Sequence, residues 1–440
     1  MKKKTLGSIM AAVMAVGLAG CGANSAADTK SAGNSAASAS PDTSKGAITA
    51  PITLKLSTWD SDSAFLDKWS AKVKDFSKVM PNVKVEVETF KSDGDYLQAM
   101  KVRMAGNELP DVIALKPNFL NDFRDELLPL DDMSVTAKNT KAKHFAVNGK
   151  VLALPMISFP ELVYYHPSIF KELGLSVPKT WEQFIETLSS IKKSGKNQAY
   201  AMGGKDSWPD YPFNEFMPLL VSGDENYYDT IAGQDKPFDK DTPFYKAYTD
   251  IQKLYDAKVM GNDPLGLSND QATGLFEAKK AAVIAAGLWY LPQYTSKVGN
   301  TDDLSAFPLP VRHSEAEPLK VITFTDDFYG INKNSKNLDA TKKFVEWMFT
   351  SDAYQFFVDE KMSKSLMEGV ESKAPFMNDF YKNNKFEEFN YQPGGEKFNK
   401  IVNAMQLDWK KLGQDMMSGK SLDGIATDLN NKWAKARTAK

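Results

Sequence analysis

The sequence predicts an α/β body built on parallel strands, and three observations carry the prediction. Segments of period-2 alternation take turns with segments of helical spacing across residues 52–128. Strand, helix, strand, helix, strand at such spacing reads as βαβ units, which set neighbouring strands parallel. Hydrophobic residues make up 42% and charged residues 25% of the 440, so a large core is expected and disorder of the body is not. From about Ile52 to Lys440 the body is long enough for one large domain or two.

Each element follows from its residues. Ile52 to Leu56 alternates as a half-buried strand does. Phe65, Leu66, Trp69, Val73 and Phe76 recur at helical spacing, and Pro81 stops that helix. Val83 to Val87 alternates again, and Tyr96 to Met104 reads as a helix ended by Gly106. Asp111 to Leu115 follows Pro110 as a short buried strand, and Phe119 to Leu128 reads as a further helix. Thr180 with Gln183 forms a capping box that opens a helix through Ile191. Ala340 to Phe349 is amphipathic and aromatic-rich, again a helix. No repeat occurs at solenoid periods.

Ahead of the body stands a segment of different character. Lys2, Lys3 and Lys4 precede an uncharged stretch from Leu6 to Leu18, too short for a stable bilayer span and shaped like a secretory signal. Leu18-Ala19-Gly20-Cys21 resembles the lipobox of bacterial lipoproteins, in which the cysteine takes a diacylglyceryl group and becomes the new N-terminus. The expectation is a signal peptide over 1–20, then lipidated Cys21 and a flexible linker over 21–48. From Gly22 to about Gly46 no aromatic residue occurs and no aliphatic one larger than Ala, so burial cannot offset ordering entropy there. Two acyl chains hold stably where one would be marginal, which places the protein on the extracytoplasmic face of the cell membrane.

Composition also narrows the chemistry. Cys21 is the only cysteine, so the body has no disulfide, cysteine-based metal site or thiol nucleophile. Net charge falls from −2 to −5 once Lys2 to Lys4 are lost, which argues against nucleic acid or anionic lipid as ligand. His144, His166 and His313 lie far apart in no metal-ligand spacing, and no Gly-x-Ser-x-Gly elbow, P-loop or Gly-x-Gly-x-x-Gly occurs. Asp326 and Asp327 could in principle be a glycosidase pair. Neighbours on a strand point to opposite faces, however, while a retaining enzyme needs its carboxyl groups about 5–5.5 Å apart across one bond. No catalytic residue, cofactor or metal is expected. Trp, Tyr and Phe often stand beside Asp or Asn, a mixture that suits carbohydrate, which has C–H faces to stack and hydroxyls to bond.

Longer blocks carry a resemblance. Asn148 to Pro155, Leu162 to Tyr165, Ile169-Phe170 and Pro178 to Gln183 resemble the central block of the extracellular solute-binding proteins of sugar transporters, the maltose-binding-protein-like family. Leu109 to Ile113, Phe276 to Ala282 leading to Gly287-Leu288-Trp289, and Gly330 to Asn332 with Ala340, Phe344 and Trp347 agree in family order. The resemblance runs from about Leu54 to Ala434. It departs at Phe159-Pro160-Glu161, where a small polar or acidic residue often faces ligand, and at His166-Pro167, where Asn-Lys is usual.

The resemblance implies a two-lobe, type II periplasmic-binding-protein-like fold. Each lobe would be a mainly parallel sheet flanked by helices, with the ligand in the cleft between them. By analogy the first lobe takes residues 49–156 plus 318–361 and the second 157–317 plus 362–440, joined by crossing strands near Met156 and Pro318. Parallel sheets bind ligands beyond the carboxyl ends of their strands, which points to the segments after Leu56, Leu115 and Pro155 and around Trp289. The ligand-binding candidates there are Trp59, Asp60, Lys116, Asn118, Ser158, Phe159, Trp208, Trp289, Tyr290, Asp326 and Asp327. Trp59 and Asp60 set a ring beside a carboxylate, although such a ring can instead pack beneath the next helix. Trp208 lies in a polar loop, Asp206 to Asp210, where no periodicity requires a buried aromatic. Trp289 falls on the family's Gly-x-Trp block, where the ring commonly stacks on sugar. Asp326 and Asp327 either bind hydroxyls or cap a turn.

The implied function is capture of a carbohydrate, foremost an oligosaccharide, and its delivery by a monomer to the permease subunits of an ATP-binding-cassette importer. One alternative is another polar solute such as a glycerol phosphodiester, which favours cations in the cleft, where only Lys116 is offered. Another is a lipoprotein that reports sugar to a membrane kinase.

Overall fold

Alternation produces the first strand, β1 (Ile52–Thr58), whose Leu54 and Leu56 are fully buried. The computed structural model describes residues 50–60 and 62–438; the signal peptide, Cys21 and the linker lie outside the described residues. β1 pairs in parallel with β2 (Val83–Thr89) and β3 (Val112–Leu115). Between β1 and β2 the helix Ser63–Lys72 starts at Asp62, whose carboxylate accepts the Ala64 and Phe65 amides. It buries Phe65, Leu66 and Trp69, and a tighter turn, Val73–Lys78, adds Val73 and Phe76. Phe76 meets Phe344 edge to face at 5.2 Å, which seats the helix Leu338–Met348 on the same side. The helix Asp93–Ala105 covers the other side, where Tyr96 and Met100 join Ile113, Leu115 and Phe328.

Two expectations are corrected locally. The helix read over Phe119–Leu128 is only the turn Pro117–Phe119 and the helix Leu120–Phe123. Beyond it Leu127 bridges Asn332, and Leu128 N donates to Ile331 O at 2.9 Å, so the sheet claims the chain. At the helix Trp181–Ser194 the Thr180 hydroxyl caps Gln183 N, but the Gln183 side chain accepts from Lys179 N, not Thr180 N. The box is half formed.

The remaining strands are β4 (Ala153–Tyr165), β5 (Gln198–Tyr200), β6 (Ala281–Gly287), β7 (Ser305–Phe307), β8 (Lys320–Ile331), β9 (Lys364–Ser365) and β10 (Glu387–Asn390). Their order is β2-β1-β3-β8-β4-β6-β5, with β7 and β9 on β4 and β10 on β8. β4 and β8 run 13 and 12 residues, about twice an ordinary strand. They pair antiparallel from Ala153–Gly330 to Pro160–Thr323. That length lets each serve two lobes. The end of β8 joins β3 in the first, while β4 beyond Pro160 joins β6 and β7 in the second. The sheet is therefore parallel within β2-β1-β3 and β5-β6, and the crossing strands pair antiparallel except where β10 joins β8 in parallel.

The crossing ladder is interrupted at its middle. Its register passes over Met156 and Asp327, and Asp327 has φ 53°, in the left-handed region. The Met156 carbonyl left over there accepts the Tyr354 hydroxyl, which itself accepts Leu366 N at 2.7 Å. Among the described residues no helix is long and apolar enough to cross a membrane.

Candidate ligand-binding cleft

The carboxyl ends of β1 and β3 open on the crossing ladder, and the first-lobe candidates gather there. Trp59 is half-buried against the apolar packing on both sides of its sheet. Lys116 Nζ stands 4.2 Å from the centre of its ring, a contact worth about 0.5–2 kcal/mol depending on desolvation. Asp60 is buried and engaged: Oδ1 accepts Asp62 N at 2.9 Å, and Oδ2 forms an ion pair with Lys361. Burial opposes the charge of Lys361, yet Asp60 and Asp327 hold its pKa above the ordinary lysine value. Asn118 is exposed at the turn Pro117–Phe119 and takes no part in the cluster.

Asp326 and Asp327 are both buried on β8. Burial pushes the Asp327 carboxyl up to about 7; Asp326 and Asp60 add to the rise, and Lys361 and Lys116 oppose it. Its Oδ1 has no hydrogen-bond partner. Ser158 and Thr325, directly opposite each other in the ladder, and Thr323, on the same face as Thr325, are also buried with unpartnered hydroxyls. Such atoms are few in folded proteins. Here they share one stretch of ladder, and the Trp59 indole N–H is likewise unpartnered.

Further along β4, about 13 Å from the Ile157–Asp326 pair, Glu161 pairs with Gly287 at the end of β6. Glu161 is buried, and the Tyr211 hydroxyl lies 2.9 and 2.8 Å from its two carboxyl oxygens. Burial pushes that carboxyl up to about 8, against the pull of the Tyr211 hydrogen bond. Gly287 N donates to the same hydroxyl at 3.0 Å. Two residues on, the Trp289 ring meets Trp208 at 5.6 Å, and Trp208 stacks on Tyr211 at 6.3 Å. Ala201, Gly203, Pro209 and Asn269 help to close a pocket around the two indoles.

Two candidates belong to the core instead. Tyr290 is fully buried, edge-on to Tyr164 at 5.6 Å, with its hydroxyl 3.5 Å from Glu277. Phe159 stacks on Phe324 at 5.7 Å, and Phe324 on Tyr391 at 5.0 Å. Alternation puts Phe159 on the ladder face opposite Ser158. Sequence reasoning passed over Lys361, Tyr211 and Glu161 as site residues. Lys361 lies 301 residues from Asp60 and Tyr211 lies 50 from Glu161, beyond the reach of any periodicity. The one signal was that Glu161 stands in the block that departs from the family pattern.

The strand crossing gathers unpartnered polar groups, and aromatic rings meet past the end of β6; the family follows from the sequence. The profile of the bacterial extracellular solute-binding proteins matches residues 62–355. The chain belongs to that family. This solute-binding protein is accordingly extracytoplasmic. It is similar to the multiple sugar-binding protein of Streptococcus mutans, 26% identical over 308 residues, 68% of this chain and 71% of that one. The melibiose/raffinose/stachyose-binding protein MelE of Bacillus subtilis is 23% identical over 361 residues, 79% and 80% of the two chains. Two solved structures share the fold. RafE of Streptococcus pneumoniae, in complex with raffinose, matches with a TM-score of 0.73 at 19% identity, over 88% of this chain and 100% of that one. BlMnBP1 of Bifidobacterium animalis subsp. lactis, in complex with mannobiose, matches with 0.72 at 21% identity, over 88% and 94%. Among the described residues of the solute-binding protein, no His, Cys, Asp and Glu cluster could hold a metal ion.

Proposed function

We propose that this solute-binding protein captures an oligosaccharide in the cleft and hands it to the permease subunits of an ATP-binding-cassette importer. The observation that carries the reading is the run of buried, unpartnered oxygens on Ser158, Thr323, Thr325 and Asp327 along the crossing ladder, together with the paired indoles of Trp208 and Trp289 and the Trp59 ring beside Lys116. Sugar hydroxyls donate and accept at once, so they satisfy hydroxyl and carboxylate alike, while sugar C–H faces pack on indole. The sugars named for MelE, RafE and BlMnBP1 support the same class of ligand. A neutral ligand suits the charges, because Asp60 already neutralises Lys361 and a phosphodiester would meet the Asp327 carboxyl.

The protein acts as a carrier, with no catalytic residue. Its lobes, taken as 49–156 plus 318–361 and 157–317 plus 362–440, close about the crossing strands, and contacts made only in the closed state hold them shut. Cys21, lipidated after loss of residues 1–20, tethers the monomer to the membrane through the linker. The test is a thermal-shift panel of raffinose, stachyose, mannobiose, single monosaccharides and a glycerol phosphodiester, since a ligand at 100 times its Kd adds about 2.7 kcal/mol. At least one neutral oligosaccharide should raise the melting temperature. A shift confined to the phosphodiester would overturn the reading.

A further inference from the structure

The turn that carries Trp208 is gripped at its base by parts of the chain that lie far from it in sequence. Gly204 N donates to Pro264 O and Lys205 N to Leu267 O, each at 3.0 Å. The two carbonyls accept from one side chain, the Gln414 amide, whose Nε2 lies 2.7 Å from Gly204 O and 3.3 Å from Lys205 O. Asp206 in turn accepts Asn269 N at 2.6 Å, at the start of the helix Asn269–Glu277, and Asn269 lines the pocket. Gln414 stands half-buried on the helix Trp409–Met417, which can come this close because its neighbour Gly413 has no Cβ. A Cβ there would overlap Asp210 Oδ2 and Asn214 Nδ2, just beyond Trp208.

The anchor meets a backbone that would not keep this shape alone. Ser207, directly before Trp208, has φ 58° and ψ −48°, a region closed to most side chains and kept only where the surroundings over-determine it. The kink leaves the Trp208 ring stacked on Tyr211 at 6.3 Å and against Trp289 at 5.6 Å. We infer that Gln414 is a positioning residue for Trp208, holding the strained turn that presents its ring as a wall of the ligand pocket; this rests on the carbohydrate reading above. The valences match, since a primary amide has two N–H groups and the base of the turn offers two carbonyls. Without those donors the base is freed, Ser207 relaxes towards an ordinary backbone conformation, and the Trp208 ring leaves its place beside Trp289. The helix Trp409–Met417 thus shapes the pocket although none of its residues lines it.

The test is a double-variant cycle on the purified protein, read by calorimetry with raffinose or with the panel sugar of largest thermal shift. Gln414→Leu should weaken binding about 3- to 10-fold, and it should add nothing once Trp208→Ala has removed the ring. In protein labelled with 5-fluorotryptophan, the Trp208 fluorine resonance, assigned by its loss in Trp208→Phe, should shift or broaden in Gln414→Leu. The resonance of Trp69, fully buried on the helix Ser63–Lys72, should stay in place, a contrast that a general loss of stability would not produce. Gln414→Glu, equal in size but without the donors, should repeat both effects. Wild-type affinity in Gln414→Leu, an equal loss with and without Trp208, or an unmoved Trp208 resonance would each overturn the inference. Wild-type affinity in Trp208→Ala would overturn it too, by taking the ring out of the pocket. A wild-type protein that takes up no sugar of the panel would overturn the carbohydrate reading itself, and the Trp208 resonance would then decide the anchor alone.

Discussion

At Trp289 the choice is between a ligand platform and a piece of core, and its surroundings say how to separate them. The ring is half-buried, with the Trp208 ring against it at 5.6 Å. A platform of this kind contributes roughly 1–3 kcal/mol of stacking and burial, so Trp289→Ala should weaken sugar binding about 5- to 150-fold with little change in the unliganded melting temperature. A core ring would instead cost about 3–5 kcal/mol of stability and leave affinity near wild type. Calorimetry and melting curves on the one variant distinguish the two. The placements of Trp208 and Trp289, both half-buried, were readable because a polar loop and a Gly-x-Trp block left them no obvious place in a core. Tyr290 and Phe159 were not, for a shared reason. Each adjoins another candidate, and one step along a helix or a strand turns a side chain by about 100° or 180°.

Among the elements, β1, β2 and β3 and the helix after β1 could be read directly, because each has one face buried and one wet. The crossing strands could not. β4 is buried along nearly its whole length, so it shows no alternation, and Pro155 and Pro160 break the pattern further. β8 carries Asp326 and Asp327 where a strand would place apolar residues. The left-handed backbone at Asp327 interrupts the ladder at the point where the lobes meet, and Tyr354 compensates by capturing the Met156 carbonyl. Removing that hydroxyl leaves a buried carbonyl without a donor and the Leu366 amide without an acceptor. Tyr354→Phe should therefore lose about 1–3 kcal/mol in urea unfolding of the ligand-free protein. An unchanged midpoint would mean that water or a shifted backbone replaces the hydroxyl, and the ladder break would have no structural pin.

On the scale of the whole molecule, the segment after β10 ties distant parts together. Glu225 accepts the Asn390 amide, and Asp229 the Gly395 amide. From that base Asn390, Gln392 and Glu396 reach Lys141 at 2.5 Å, His144, and Arg124 at 3.5 Å. Surface pairs of this kind are worth at most about 1 kcal/mol each, and on the function proposed above it is the ligand that supplies the preference for closure. The anchor is a separate matter. On the proposed lipidation of Cys21, Cys21→Ser should release the protein from the membrane fraction with its melting temperature unchanged. Membrane retention at wild-type levels would show that anchoring comes from elsewhere. The central claim is that a sugar sits between the indoles of one lobe and the acids of the other, and a crystal structure of the protein grown with raffinose, or with the sugar that gives the largest thermal shift, tests it most directly. The expected result is a sugar ring stacked on Trp289, with hydroxyls bonded to Asp327, Ser158 and Thr325. Density bound anywhere else, or a sugar that touches neither Trp289 nor Asp327, would contradict the account.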